Sequence, residues 1–304
     1  MSDAIELTAG HYRAVVHPYG AALCALEYAG RDLVWGYDPG GAPAFSQGQL
    51  LLPWPNRIAD GRYTFGGAEH RLPLNEPQRH NAIHGLVSDR MWRTVDAGPA
   101  AARFTVGIDA PAGYPFQVEC TAAYALDPEQ GLTLALGGRN TGAVPAPFGA
   151  GSHFYLTVGQ VLDHTVLRLP AGRRLPVDER RLLPTGAPVP VAHPGDDFRD
   201  PRPLGAASFD TAFTDLRRGA DGAAWTVLSG GGHAVGLWAD AAYPWLQVFS
   251  SDPIEPHRGQ LAVEPMTCPP NAFASGIDLI TLEPGGSVSA RLGVRDVAPL
   301  TPTR

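Results

Sequence analysis

The chain contains no lysine: all 23 basic side chains are arginines, set against 30 acidic ones for a formal charge of -7. Dispersed arginines in a net-acidic chain do not make the basic face that a nucleic-acid partner requires. The absence of lysine, in a sequence this rich in Ala, Gly, Pro and Arg, reads as coding bias and carries no function. Cysteine is scarce too. Cys24, Cys120 and Cys268 are odd in number and form no CxxC pair, which excludes a disulfide framework and a zinc knuckle and leaves them as reduced, mostly buried thiols. No run of about 18 apolar residues is present to span a bilayer. The first residues, MSDAIELTAGHY, lack the basic-then-apolar order of an export signal, so a cytoplasmic location is expected. Also missing are HExxH, a Walker loop, GxGxxG followed by an acid, and a GxSxG elbow. Metal, nucleotide, dinucleotide and serine-hydrolase readings therefore have no motif to stand on, and no cofactor is expected.

Turn formers are abundant. With 36 Gly and 30 Pro among 304 residues, few windows hold a 3.6-residue period for ten residues, and helix is expected to be scarce. Short alternating or β-branched runs recur at Tyr12 to Val16, Ala21 to Tyr28, Arg62 to Phe65, Phe104 to Ile108, Gln117 to Leu126, Leu132 to Leu136, Val235 to Trp238, Leu246 to Ser250 and Ser287 to Val294. They read as strands. Gly66-Gly67 and Asp127 to Gly131 sit between such runs as hairpin turns, and Gly230 to Gly232 is a further turn. Many strands joined by short turns imply an all-β sandwich, and with no clean linker the chain reads as one domain over residues 1–304. The shift to Pro, Arg and Asp across Pro170 to Leu204 reads as an ordered excursion over the sheet.

Six stretches carry chemistry-bearing residues. LAVEPMTCPPNAF (Leu261 to Phe273) places Glu264 at the end of an apolar run, with Pro265 stopping the backbone there. Strand alternation sets Leu261 and Val263 on one face and Ala262 and Glu264 on the other, next to a small neighbour. A carboxylate in such a cleft has a raised pKa and serves as acid or base, unless it merely pairs with an arginine such as Arg258. In GSHFYL, His153 interrupts an apolar strand with a ring that titrates near neutrality, or is a core histidine bonded to backbone. In NAIHGL, the freedom of Gly85 suits a turn that aims His84 into a cleft, although His80 is an equal candidate. LLPWPNRIADGRY offers Trp54 and the Arg57 fork from one rigid loop, a combination that holds polyols, or an arginine paired with a surface carboxylate. FDTAFTDL offers Asp210 between aromatic residues, and PWLQVFSSD offers Trp245 and Gln247. Together these describe a site for a small neutral polyol.

In this order, NRIADGRYTFGG, NAIHGL, GSHFYL, FDTAF, PWLQVFSSD and LAVEPMTCPPNAF resemble the aldose 1-epimerases, the galactose mutarotase family, from about Leu51 to Phe273. The wording of LLPWPNRIADGRY and VEPMTCPPNAF is most similar to a bacterial subgroup linked to unusual or sulfonated hexoses. The resemblance implies a galactose mutarotase-like β-supersandwich of mostly antiparallel strands. It implies interconversion of α and β anomers of a monosaccharide, by a monomer or homodimer, without metal, membrane or nucleic acid. Carried over by position, Glu264 takes the proton of the anomeric hydroxyl, His153 protonates the ring oxygen and His84 hydrogen-bonds near it. Arg57, Asp210 and Gln247 hold the substrate. The chain departs from the family in having Ser152 where Asn commonly precedes the second histidine. Two alternatives stay open: a substrate carrying phosphate or sulfonate, held by arginines such as Arg79, Arg173, Arg174 or Arg258, and a non-catalytic sugar-binding protein.

Overall fold

A computed structural model describes residues 3–192 and 194–302. The scarcity of helix is borne out: among the described residues the only α-helix is Ala272–Ser275, with a 3-10 turn at Leu162–His164, and the rest of the regular structure is strand. All the anticipated strand runs are strands, most of them longer than the sequence alone marks. The pair expected around Asp127 to Gly131 is Gln117–Asp127 against Gly131–Asn140, antiparallel in continuous register from Val118↔Asn140 to Asp127↔Gly131. The Gly66-Gly67 turn joins Arg62–Phe65 to Ala68–Arg71, with both glycines at positive φ as a two-residue hairpin requires. Strands Ile5–Ala9 and Arg93–Ala97 lacked a clear sequence signature, because largely exposed strands show weak apolar alternation.

Two large sheets organise the molecule. The first is antiparallel and nine-stranded. It runs from Arg93–Ala97 through Gln117–Asp127, Gly131–Asn140 and Ser287–Asp296 to His233–Ala239, Ala224–Gly230 and the edge strand Arg202–Pro203. The second centres on Leu261–Met266, flanked on one side by Trp245–Phe249 and Asp210–Leu216 and on the other by Gly151–Ser152 and Phe154–Leu156. Leu134 and Leu292 of the first sheet and Leu246, Val248, Leu261 and Val263 of the second belong to one apolar cluster, so the sheets face each other across the main core.

Strand alternation then decides what the second sheet presents on its other face. Opposite Leu246, Val248, Leu261 and Val263 lie Trp245, Gln247, Phe249, Ala262, Glu264 and Met266. Trp245 and Met266 join Leu175 and Ala212 in a small apolar cluster; Ala262 joins Tyr155 and Ile254 in another, with Trp35 and Phe249 packed on it. Between these two clusters runs the polar row Gln247↔Glu264. The excursion over Pro170 to Leu204 is ordered by short strands of its own, Ala171–Arg174, Val189–Pro190 and Arg202–Pro203, which add to the edges of both sheets.

Candidate active site

Strand Leu261–Met266 does not stop at Pro265, as the sequence suggests; it continues to Met266, with Leu246↔Pro265 in register. The proline is tolerated because of what lies beside it. The Thr267 N–H donates to the Ala150 carbonyl, so by alternation the nitrogen of Pro265 faces the same neighbouring chain. That chain breaks its ladder at His153, between Gly151–Ser152 and Phe154–Leu156. The missing donor thus lies where the pairing with that chain has already lapsed. Freed from the ladder, His153 instead donates its N–H to the Gln49 carbonyl (2.9 Å) and accepts from Gly48 N–H (3.0 Å).

The result sets His153 Nε2 3.4 Å from Glu264 Oε1, with both side chains almost fully buried. The His84 ring stands 5.4 Å from that of His153 at 82°, and Tyr155 lies 4.9 Å from it on its own strand. His84 has φ +62 and is followed by Gly85 at φ +79, so the aiming turn uses two left-handed residues rather than the glycine alone. A Cβ on Gly85 would stand 2.0 Å from the Leu52 carbonyl oxygen, which only glycine avoids. His84 Nδ1 accepts the Asn56 N–H at 3.3 Å, which leaves the proton of the neutral ring on Nε2. Of the two histidine candidates, His84 is the one at the site; His80 is exposed and pairs with Asp60 at 2.7 Å.

Arg57 is buried, and its partner is a buried carboxylate rather than a surface one: Glu76, which takes Nε at 3.0 Å and Nη2 at 3.0 Å. The strand bearing Arg57 is pinned by Asn271 of the CPPNAF segment, through Asn271 N–H to the Arg57 carbonyl (2.7 Å) and Ala59 N–H to Asn271 Oδ1 (3.0 Å). On the far side of the row, Gln247 Nε2 donates to Asp210 Oδ1 at 2.6 Å. Glu264, His153, Gln247 and Asp210 thus meet on the second sheet, and His84 and Arg57 reach the same place from the separate strand pair Arg57–Ala59 and Asn81–Ile83. Glu264 Oε2, His153 Nδ1 and Gln247 Oε1 are buried without a protein partner, so the site offers unsatisfied acceptors and donors to a hydroxylated ligand.

Burial sets the protonation states. It drives Glu264 well above the ordinary carboxylate range, with the neighbouring Asp210 charge adding and Arg57 opposing. It drives His153 down to about 3 and His84 well below its ordinary value. Burial thus favours the uncharged form of both Glu264 and His153, the two partners of the 3.4 Å contact. His84, His153 and Glu264 each offer one atom within 4.8 Å of the others, a donor set that zinc accepts. A metal on His84 Nε2 would have to displace the proton that the Asn56 contact places there.

Several anticipated roles change. Trp54 is buried against Phe273, with centroids 5.5 Å apart, and presents no face to a sugar. Trp245 is likewise buried and donates to Asp278 at 2.7 Å. Phe209 and Phe213 point into the main core, so Asp210 is not between aromatic rings. Glu264 does not pair with Arg258, which is held by Asp163 and Asp252 (2.6 Å each). Arg174 pairs with Asp196, so two of the four arginines considered for an anionic substrate, Arg174 and Arg258, are committed to carboxylates, while Arg173 donates to the Pro188 carbonyl. Ser152 is buried, and its hydroxyl has no partner, so it does not brace the His153 ring. Cys268 is buried, with its thiol pushed up to about 12, and supplies packing. Glu76, Asn56 and Tyr155 were not singled out beforehand; an acid in LNEP, shortly before NAIHGL, is the one available signal for Glu76.

The sequence pattern of the aldose 1-epimerase family matches residues 3–295. An uncharacterised protein of Escherichia coli K12, YihR, is 36% identical over 288 residues, covering 92% of this chain and 89% of that protein. Mouse galactose mutarotase is 36% identical over 159 residues, 49% of this chain and 44% of its own length. Among solved structures, a GalM/aldose epimerase homologue from C. elegans superposes with a TM-score of 0.85 at 21% identity, covering 99% of this chain and 100% of that one, and so shares the fold.

Proposed function

The chain belongs to the aldose 1-epimerase family, and from that premise we propose that it interconverts the α and β anomers of a free hexose, acting throughout its length as one such domain. The observation that carries this reading is the buried Glu264–His153 contact at 3.4 Å, an acid and a base that share one proton beside a row of hydroxyl-binding groups. In the ionic form of that pair, reached by passing the proton across the contact, the Glu264 carboxylate removes the proton from the anomeric hydroxyl and His153 gives one to the ring oxygen. The C1–O5 bond breaks, an aldehyde forms, the chain turns about one bond, and the reverse transfers close the ring on the other face. His84 Nε2–H donates near the ring oxygen, while Arg57, Asp210 and Gln247 hold hydroxyls. Each positioned acid or base contributes about 10²- to 10⁴-fold, sufficient for ring opening with no covalent intermediate.

Polarimetry and NMR of freshly dissolved α-D-galactose, α-D-glucose and other aldoses test the reading. Catalytic protein is expected to speed equilibration of at least one; equilibration no faster than buffer across the panel overturns it, and binding without anomerisation would instead indicate a sugar sensor. A substrate bearing phosphate or sulfonate remains favoured by one observation, the Arg79 Nε, which is buried without a hydrogen-bond partner 4.0 Å from Glu76. Including 6-phosphorylated and 6-sulfonated hexoses in the panel decides between charged and neutral sugars.

A further inference from the structure

The Arg57 guanidinium uses one edge entirely on Glu76: Nε meets Oε2 at 3.0 Å and Oε1 at 3.2 Å, and Nη2 meets Oε1 at 3.0 Å. Among the described residues nothing accepts from Nη1. Glu76 is itself buried and held, since Asn81 Nδ2 donates to its Oε2 at 2.9 Å. Asn81 is held in turn from a distant part of the chain. Its Nδ2 also donates to the Arg181 carbonyl at 3.1 Å, and its Oδ1 accepts from Arg181 Nη2 at 3.2 Å. Arg181 belongs to the Pro170 to Leu204 excursion. It further donates Nε to the Arg79 carbonyl (3.0 Å) and Nη2 to the His80 carbonyl (2.7 Å) and Asp60 Oδ1 (3.0 Å). One arginine therefore grips both backbone and side chains of the 76–81 loop.

We propose that Glu76 is the positioning residue that fixes which edge of Arg57 faces the substrate, and that Arg181 makes the excursion a strap holding the Glu76–Asn81 loop in place. The physical reason is twofold. A guanidinium is rigid and planar, so a bidentate carboxylate fixes its plane and leaves a single edge for the ligand. A buried arginine without its counter-ion would reorient toward solvent, away from the site. The excursion thereby acquires a role in substrate affinity without touching substrate.

The kinetic part rests on the anomerase reading, so the test includes a measurement independent of it. Arginine Nε–H resonances in ¹H–¹⁵N spectra, with Arg57 assigned by its loss in Arg57→Gln, report the Glu76 contact directly. The wild-type Arg57 signal is expected to exchange slowly with water, and to exchange at least about tenfold faster in Glu76→Gln and, to a lesser degree, in Arg181→Ala. In kinetics and in calorimetric D-galactose binding, Glu76→Gln is expected to raise KM and Kd about 10- to 100-fold while kcat and its pH profile change less than about threefold. Glu76→Asp is expected to recover part of the loss. On the Arg57→Gln background, Glu76→Gln should add less than about twofold, because the two act as a unit. A slow-exchanging Arg57 signal in Glu76→Gln overturns the proposal, as does an equal loss of affinity on both backgrounds. Absent anomerisation, an Arg57 exchange that responds to both variants sustains the positioning role and removes only the enzymatic reading.

Discussion

At the scale of single residues, the proposed chemistry depends on one proton shared between two buried groups. Burial opposes charge on both, raising Glu264 and taking His153 to about 3. The pair gains a second proton only near pH 3 and loses its single proton only above the raised value of Glu264. With His153 held at about 3 by burial, the acid limb of kcat/KM should lie far below the break near 6.5 that an ordinary histidine produces, and an acid-limb break at about 6.5 would contradict the pair. Glu264→Gln is expected to slow anomerisation by about 10²- to 10⁴-fold by polarimetry. The same variant should be more stable than wild type. A carboxyl whose folded pKa is raised favours folding most below the unfolded pKa of about 4.3 and loses that advantage as pH rises through its folded value. Melting temperatures should therefore favour the Gln variant at pH 8 and converge near pH 4. A gain at pH 4 equal to that at pH 8 would show that Glu264 is not held protonated.

At the scale of elements, the proposed site is built from interruptions in regular structure. Pro265 and the ladder break at His153 lie side by side across one strand pair, and the left-handed turn at His84–Gly85 faces them from another loop. Gly85→Ala tests how tightly that turn is determined. Its φ of +79 and the 2.0 Å approach to the Leu52 carbonyl oxygen require a backbone shift. The cost should be about 1–3 kcal/mol or more in denaturant melts, with a disproportionate loss of activity because His84 moves with the turn. A variant of unchanged stability and activity would mean the loop is slack.

At the scale of the whole molecule, the two sheets share one apolar core while the site lies on the face of the second sheet turned away from it. Core and site should separate energetically. Leu134→Ala, at a fully buried position in the first sheet, is expected to cost about 2–5 kcal/mol in urea melts. Its KM under folded conditions should stay at the wild-type value. A shift in KM would mean that the core strains the site. A neutral aldose carries no charge for the protein's field to steer, so kcat/KM should vary less than about twofold between low and high salt. A steep salt dependence would point to an anionic substrate.

The fold class was legible because strand periodicity and turn chemistry are local: Gly66-Gly67 and Asp127 to Gly131 specify their hairpins without help from the rest of the chain. The functional residue types were legible for a related reason, since a carboxylate or imidazole set in an apolar strand carries a desolvation cost visible in the sequence itself. The anticipated sugar-stacking role of Trp54 did not hold, because an aromatic side chain looks the same in sequence whether it lines a cleft or fills a core. The partner of Arg57 was equally hidden: Glu76 is 19 residues away and is held through Asn81 by Arg181, 100 residues further on. The sequence by itself determined an all-β architecture and which ionisable groups were available. Only the tertiary structure decided which of them meet, because contact between strands and loops far apart in the chain depends on register and packing, and it is burial at those contacts that sets where each proton resides.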